Sequence, residues 1–318
     1  MKKKIKFMVA IFFTCILVFS GIIYLLNKEK VSEKFTQVFA FGDSYSDSGE
    51  AKKISAQIMA SANRPDDAYL KPSDELYWEG RYSNGPTAVE VLAENLGVPL
   101  VNYATGGATS GEKNYSEWMD HLGNTGVLGQ IEKFENSLKE GKADPDALYF
   151  IFASANDYFS FMDYSLPGTV EDVADKAVDN INNAIKRLVT LGAKNFFVVN
   201  SSDLSLVPYE ITSNRTESAE VFVKHVNKKL PESIKELQKN SNIKIMMFDL
   251  PAISDNIMKD PSKYGLVELD KEAQSTYPEV KPASANSEQY YFWDEWHYTS
   301  TVHKILGEEM YDKMRMFK

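Results

Sequence analysis

Five short apolar runs separated by helical stretches constrain this chain more than any other feature. Phe35–Phe41, Val98–Tyr103, Ala147–Ala153, Phe196–Asn200 and Ile243–Phe248 read as strands. The third contains Leu148-Tyr149-Phe150-Ile151-Phe152 without a polar break, which suits a strand covered on both faces. Between the runs lie helical patterns: Thr87–Leu96 closed by Gly97, Gly126–Lys139, Val173 to Leu188 closed near Gly192, and Ser218–Lys239, where Pro231 is a point of possible interruption. Thr169-Val170-Glu171-Asp172 has the spacing of a capping box before the third of these. Residues 51–82 read as a helix plus a surface excursion, residues 251–289 lack a clear period, and Thr299–Met314 reads as a closing helix. Strands alternating with helices give a parallel sheet flanked by helices, an α/β layer sandwich. No internal repeat or second domain interrupts residues 32–318.

The first strand runs into Phe41-Gly42-Asp43-Ser44-Tyr45-Ser46-Asp47-Ser48-Gly49. An apolar run that breaks at a glycine and delivers one serine places that serine at the carboxyl edge of the sheet, where open α/β sheets bind their ligands. Far downstream stand a glycine turn at Gly106-Gly107, Asn156, and Trp293-Asp294-Glu295-Trp296-His297.

Composition excludes several alternatives. The formal charge of −10 understates the acidity of the folding part, because residues 1–31 hold six Lys and one Glu, leaving 29 basic against 44 acidic residues. A body with a balance of −15 repels nucleic acid. The single cysteine, Cys15, allows neither an intramolecular disulfide nor a cysteine metal site, and no His-Glu-x-x-His or similar ligand spacing appears. Neither metal nor cofactor is expected.

Lys2, Lys3, Lys4 and Lys6 precede an uncharged run from Phe7 to Leu26. At about 1.5 Å per residue such a run spans roughly 30 Å, a bilayer core. No small-x-small cleavage site follows, so an uncleaved membrane anchor is favoured over a cleaved signal, with residues 1–31 as anchor and linker. Basic residues before the run stay cytoplasmic, which sends residues 32–318 outside the cytoplasm.

Hydrolysing an ester requires a nucleophile, a base, a group to orient the base, and donors for the oxyanion. Ser44 can be the nucleophile, His297 the base and Asp294 its orienter three residues earlier. Taken singly, histidines are more often structural: His121 and His225 sit in polar stretches, and His303 is expected to pack on the last helix. Asp43 reads as a cap for the turn beside Ser44. The aromatics Tyr290, Tyr291, Phe292, Trp293, Trp296 and Tyr298 read first as core and second as the wall of an acyl pocket. The Gly-x-Ser-x-Gly elbow of ordinary α/β-hydrolases is absent.

Gly42-Asp43-Ser44, Gly107 within Asn102–Thr109, Asn156 in Ala155-Asn156-Asp157, and Asp294-Glu295-Trp296-His297 resemble, in order and spacing, the four sequence blocks of the GDSL, or SGNH, hydrolases. The resemblance covers roughly residues 36–310. Gly80-Arg81-Tyr82-Ser83-Asn84-Gly85-Pro86 further resembles the branch with secreted lysophospholipases, acyltransferases and acetylesterases. It implies a three-layer α/β/α sandwich on a flavodoxin-like five-stranded parallel sheet. It also implies Ser44, Asp294 and His297 as catalytic residues, and an oxyanion hole from the N–H groups of Ser44 and Gly107 and the amide of Asn156. Gly106 is the alternative donor to Gly107. Two positions depart from the family pattern: Ser154 stands where glycine is usual, bearing on oxyanion geometry, and Tyr45 stands where leucine is usual, bearing on the pocket wall.

The resulting expectation is an extracytoplasmic serine esterase or lipase acting on acyl esters of lipids or lysophospholipids. A carbohydrate O-acetylesterase and an acyltransferase using the same acyl-enzyme are the alternatives within the class, and a tethered binding module on an inactive fold is the alternative outside it. A long apolar groove under residues 51–80 or 251–289 favours long acyl chains over acetate.

Overall fold

The computed structural model describes residues 34–239 and 241–316. The anchor expected in residues 1–31 lies outside them. Among the described residues no helix is long and apolar enough to cross a membrane.

Five strands form the central sheet: β1 (Val38–Gly42), β2 (Leu100–Asn102), β3 (Leu148–Phe152), β4 (Asn195–Val199) and β5 (Lys244–Phe248). They pair in parallel in the order β2-β1-β3-β4-β5. This is the doubly wound flavodoxin-like order, whose switch point falls between β1 and β3. The order of succession reverses there: from β1 the next strand lies on one side, and from β3 the strands follow one another toward the other side.

Right-handed crossovers then place the helices on two faces. One layer holds α1 (Glu50–Ala60), with α2 (Ala88–Leu96) between β1 and β2. The other holds α3 (Val127–Ser137), α4 (Ala155–Asp163), α5 (Val170–Leu191), the short α6 (Pro208–Thr212) and α7 (Thr216–Lys239). The packing agrees, since α5 lies against α3, α4 and α7. The chain continues through α8 (Leu250–Lys259) and a small parallel pair, β6 (Glu268–Glu272) and β7 (Tyr290–Phe292), to α9 (Ser300–Met314), which packs on α2. The sheet interior is aromatic, with Phe41, Tyr149, Phe150, Phe196 and Phe197 all fully buried. A smaller cluster of Ala51, Ile58, Tyr82, Trp118 and Met119 lies beneath the excursion after α1.

Three details differ from the sequence reading. Strand β2 keeps only three residues, because at the sheet edge it has one neighbour and Val101 is exposed. Helix α7 runs unbroken through Pro231, which removes a single ladder bond from a helix whose apolar stripe, Phe222, Val226 and Leu230 among it, is buried. Residues 251–289, read without a clear period, open within helix α8, whose Leu250, Ser254 and Ile257 are buried at helical spacing; beyond it they are ordered by partners, since β6 pairs with β7 and the carboxylate of Glu295 receives the N–H groups of Thr276 and Tyr277 at 2.7 and 2.8 Å. Thr169 and Asp172 do form the capping box.

Candidate active site

The turn after β1 follows from its small polar residues. The carbonyl of Asp43 accepts the N–H groups of Ser46 and Asp47, each at 3.0 Å, while its carboxylate accepts the N–H of Tyr45 at 3.0 Å. Gly42 is required by a close approach: a Cβ there would stand 2.3 Å from the Phe152 carbonyl oxygen on β3. Gln130 of α3 pins the strand end from the side, accepting from Gly42 N–H at 2.9 Å and donating to its carbonyl at 2.8 Å. Ser44 thus sits on a braced turn at the carboxyl end of β1.

The tail block folds over that turn. Asp294 Oδ1 accepts the N–H groups of Trp296 at 2.8 Å and His297 at 2.7 Å, a side-chain-closed turn that swings the imidazole back onto the carboxylate. Nδ1 of His297 lies 2.8 Å from Oδ2 and 2.9 Å from Oδ1. A carboxylate only accepts, so it holds the proton on Nδ1 and leaves Nε2 to accept from Ser44 Oγ, 2.8 Å away. Ser44, His297 and Asp294 therefore form one hydrogen-bonded chain across 253 residues of sequence. Asp294 is fully buried. Burial alone would raise its pKa, but the His297 imidazole, the Tyr77 hydroxyl and the Trp296 N–H together hold the carboxyl below its ordinary range.

Gly107 lies in the turn after β2 at φ 81°, and a Cβ there would meet Asn114 Oδ1 at 2.4 Å, so both backbone and space demand glycine. The two glycines are not equivalent. The N–H of Gly106 is spent on Asp47 Oδ2 at 2.8 Å, whereas the N–H groups of Gly107 and Ser44 take no partner among the described residues. Asn156, in the first turn of α4 after β3, gives one amide hydrogen to the Ala108 carbonyl at 3.0 Å and keeps the other free. Hydrogen bonds link the three loops, Gly106 after β2 to Asp47 after β1 and Asn156 after β3 to Ala108, and each loop carries one of the expected oxyanion donors.

Several residues around this arrangement carried no readable signal. Tyr77 donates to Asp294 Oδ2 at 2.5 Å from the irregular excursion. Asp47 collects four N–H groups, from Gly49, Glu50, Ala51 and Gly106, and so staples the turn of Ser44 to that of Gly107; its burial pushes its carboxyl up to about 6. Asp157 does the same between α4 and Ser110, and burial again raises it to about 6. Asn114 donates to the Gly106 carbonyl at 2.9 Å. Tyr77, Asp157 and the Gly106 contact of Asp47 join segments 217, 47 and 59 residues apart, where no spacing rule reaches, whereas Asn114 and the other contacts of Asp47 are local.

Both departures from the family pattern resolve structurally. Ser154 has φ 173°, outside the left-handed region that favours glycine. Tyr45 is buried rather than part of a pocket wall: its hydroxyl donates to the Trp296 carbonyl at 2.8 Å and its ring packs 5.8 Å from the imidazole of His297. It ties the turn of Ser44 to the loop of His297. Of the remaining histidines, His225 pairs with Asp175, and His303 is buried on α9, accepting from Ala88 N–H at 3.2 Å, with burial lowering its pKa to about 3. Tyr291, Phe292, Trp293 and Tyr298 pack in the interior. Among the described residues no group of three or more His, Cys, Asp or Glu could hold a metal ion.

An α/β/α sandwich that presents such a Ser–His–Asp chain at its switch point has the form of a serine hydrolase. Residues 38–310 match the GDSL-like Lipase/Acylhydrolase family, and the chain belongs to it. It is an ester-hydrolysing serine hydrolase. Relatives include the phosphatidylcholine-sterol acyltransferase of Aeromonas hydrophila, 26% identical with 86% of this chain and 88% of that one aligned. GDSL esterase/lipase 7 of Arabidopsis thaliana is also 26% identical, over 86% and 87%. Among solved structures, an acetylxylan esterase from Geobacillus stearothermophilus aligns over 89% and 95% at 14% identity, with a TM-score of 0.44.

Proposed function

We propose that this protein is an extracytoplasmic esterase that cleaves acyl esters of lipids or lysophospholipids through Ser44, His297 and Asp294. The observation that carries the reading is the continuous chain Ser44 Oγ to His297 Nε2, and Nδ1 to Asp294, at 2.8 Å on either side of the ring. Ser44 Oγ attacks the ester carbonyl as its proton passes to Nε2, and buried Asp294 stabilises the imidazolium. The oxyanion meets the N–H groups of Ser44 and Gly107 and the free amide hydrogen of Asn156. Return of the proton to the leaving alcohol yields an acyl-enzyme, and water, activated by the same base, releases the acid. An alcohol in place of water makes the same step an acyl transfer. The lipid class is supported by the likeness to the phosphatidylcholine-sterol acyltransferase, and the location by the lysine-flanked apolar run from Phe7 to Leu26.

The test is the initial hydrolysis rate of p-nitrophenyl esters from acetate to palmitate by the full chain, beside Ser44→Ala. A serine-dependent rate rising with chain length is expected, along with fluorophosphonate labelling lost in Ser44→Ala. A rate confined to acetate would favour sugar acetyl groups as substrate. No serine-dependent rate and no labelling would leave a binding module as the better account.

A further inference from the structure

Three side chains of the segment 80–86, between α1 and α2, fasten it to the rest of the fold. Arg81 pairs with Glu90 of α2 through Nη2 at 2.6 Å, Ser83 Oγ donates to the Tyr298 carbonyl at 2.8 Å, and Asn84 Oδ1 accepts the N–H of Ser300 at 2.7 Å. Tyr298 and Ser300 follow His297 closely in the chain, so the segment is tied to the loop that carries the imidazole. Gly85 belongs to the same contact, since a Cβ there would stand 2.7 Å from the Cβ of Ser300.

Tyr82 stands in the middle of these ties. It is 5% exposed, and its hydroxyl takes no hydrogen bond among the described residues. An unpaired buried hydroxyl is unfavourable, so its polar end does not account for its place. The ring does. Its centroid lies 5.1 Å from the imidazole of His297 and 5.7 Å from the ring of Tyr77, whose hydroxyl donates to Asp294. Its far edge lies on Gly106 in the turn after β2: a Cβ there would stand 2.2 to 2.4 Å from Cε2, Cζ and Oη of Tyr82. Gly106 has no left-handed φ, so what glycine provides at this position is room for that ring. The ring of Tyr45 lies 5.8 Å from the same imidazole, and its hydroxyl is spent on the Trp296 carbonyl. His297 is thus packed by two buried rings.

We infer, resting on the reading of Ser44 and His297 as nucleophile and base, that Tyr82 is a positioning residue. Its ring, held by segment 80–86, keeps the imidazole of His297 in place through the reaction, and its hydroxyl takes no part. Once Ser44 Oγ bonds to the acyl carbon, the imidazole has given up its hydrogen bond from that oxygen and keeps the one to Asp294. Packing then has to hold the ring where its new Nε2 proton reaches the leaving oxygen, and a misplacement of about 1 Å costs on the order of 10²-fold in rate. The same ring covers the bonds from Tyr77 and His297 to Asp294, which are stronger away from water.

The test measures kcat and KM on whichever p-nitrophenyl ester, acetate to palmitate, the unaltered chain cleaves fastest, with thermal unfolding of each variant. Tyr82→Phe keeps the ring, so kcat is expected to stay within about twofold and the melting temperature not to fall, because an unpaired buried hydroxyl is removed. Tyr82→Leu is expected to lose about 10- to 100-fold in kcat with KM little changed. Gly106→Ala pushes the ring aside and is expected to lose a similar factor, and it replaces Tyr82→Leu as the probe if that variant does not fold. Added to Tyr82→Leu, which lacks every ring atom the new methyl would meet, Gly106→Ala is expected to cost less than about twofold more. A folded Tyr82→Leu with its kcat intact, a Tyr82→Phe that loses as much as Tyr82→Leu, or a Gly106→Ala loss equal in both backgrounds overturns the role of the ring and leaves the esterase intact. An unaltered chain with no Ser44-dependent rate overturns both readings.

Discussion

The hydroxyl of Tyr77 donates to Asp294 Oδ2 at 2.5 Å, on the same carboxylate oxygen that faces His297 Nδ1. The two residues are 217 positions apart, and Tyr77 belongs to the irregular segment between α1 and α2. Trp293, the residue before Asp294, donates its indole N–H to the Leu76 carbonyl at 3.1 Å, so the two segments are clamped twice. The excursion after α1 is thus part of the relay's framework. Burial and the charge of Asp294 raise the Tyr77 pKa well above its ordinary value, which keeps the phenol a donor at any working pH.

Replacing Tyr77 by Phe removes that donor and leaves the ring. A hydrogen bond to a charged group is worth about 1.5–3 kcal/mol, so kcat is expected to fall about tenfold or more while KM moves little. The loss also weakens the hold that keeps the Asp294 carboxyl low. The stability Asp294 confers is present above its unfolded pKa and lost as pH falls through the folded one, so Tyr77→Phe should lose stability at a higher pH on acidification. Steady-state kinetics together with acid unfolding monitored by circular dichroism checks both, and an unchanged kcat would show the contact to be structural only.

The proposed oxyanion donors separate by kind of damage. Asn156→Ala removes a side-chain amide, and a drop of about 10²–10³ in kcat is expected with little change in unfolding temperature. Gly107→Ala instead sets a methyl 2.4 Å from Asn114 Oδ1 on a backbone at φ 81°, so activity and stability should fall together. Parallel kinetics and thermal unfolding of the two variants distinguish these outcomes, and a fully active Asn156→Ala would remove Asn156 from the mechanism.

Much of the fold was legible because its signals are local. Buried strands such as Leu148–Phe152 need continuous apolar runs, and the helices are marked by periodicity and by caps such as Thr169. Ser44, His297 and Asp294 could be read because the chemistry restricts residue types and because Asp294 closes its own turn onto His297. Tyr77, Asp47, Gln130 and Asn114 could not. Each acts through a bond spanning between 8 and 217 residues, and neither propensity nor spacing encodes the partner. The pair β6–β7 escaped for the same reason, since a two-stranded unit with a register shift has no clean alternation.

Ser154 gives a test of a position where the family pattern has glycine. Its φ of 173° makes no demand for glycine, so Ser154→Gly gains no relief from strain and adds freedom to the unfolded chain. Stability is expected to fall by about 0.5–1 kcal/mol, with kcat/KM within about twofold of the parent. Urea unfolding and ester hydrolysis measure the two, and a large gain in activity would mean that the serine distorts the neighbouring Asn156.

Asp43 carries the clearest pH dependence. Burial pushes its carboxyl up to about 7, the charge of Asp157 adds to this, and the N–H of Tyr45 opposes it. The residue is fully buried, and its Oδ2 takes no hydrogen bond among the described residues. A folded pKa raised above the unfolded value means the fold favours the protonated form: that stabilisation is complete below about pH 4 and is lost as pH rises through about 7. Asn at position 43 keeps the acceptor for Tyr45 N–H and never ionises. Relative to the parent, Asp43→Asn should therefore gain stability between pH 5 and pH 8.5, by about 2–4 kcal/mol if the full shift is expressed. Denaturant unfolding of both proteins at several pH values measures the gap. A constant gap across that range would mean that Asp43 ionises freely in the folded protein, and that its burial is relieved by a partner such as an ordered water.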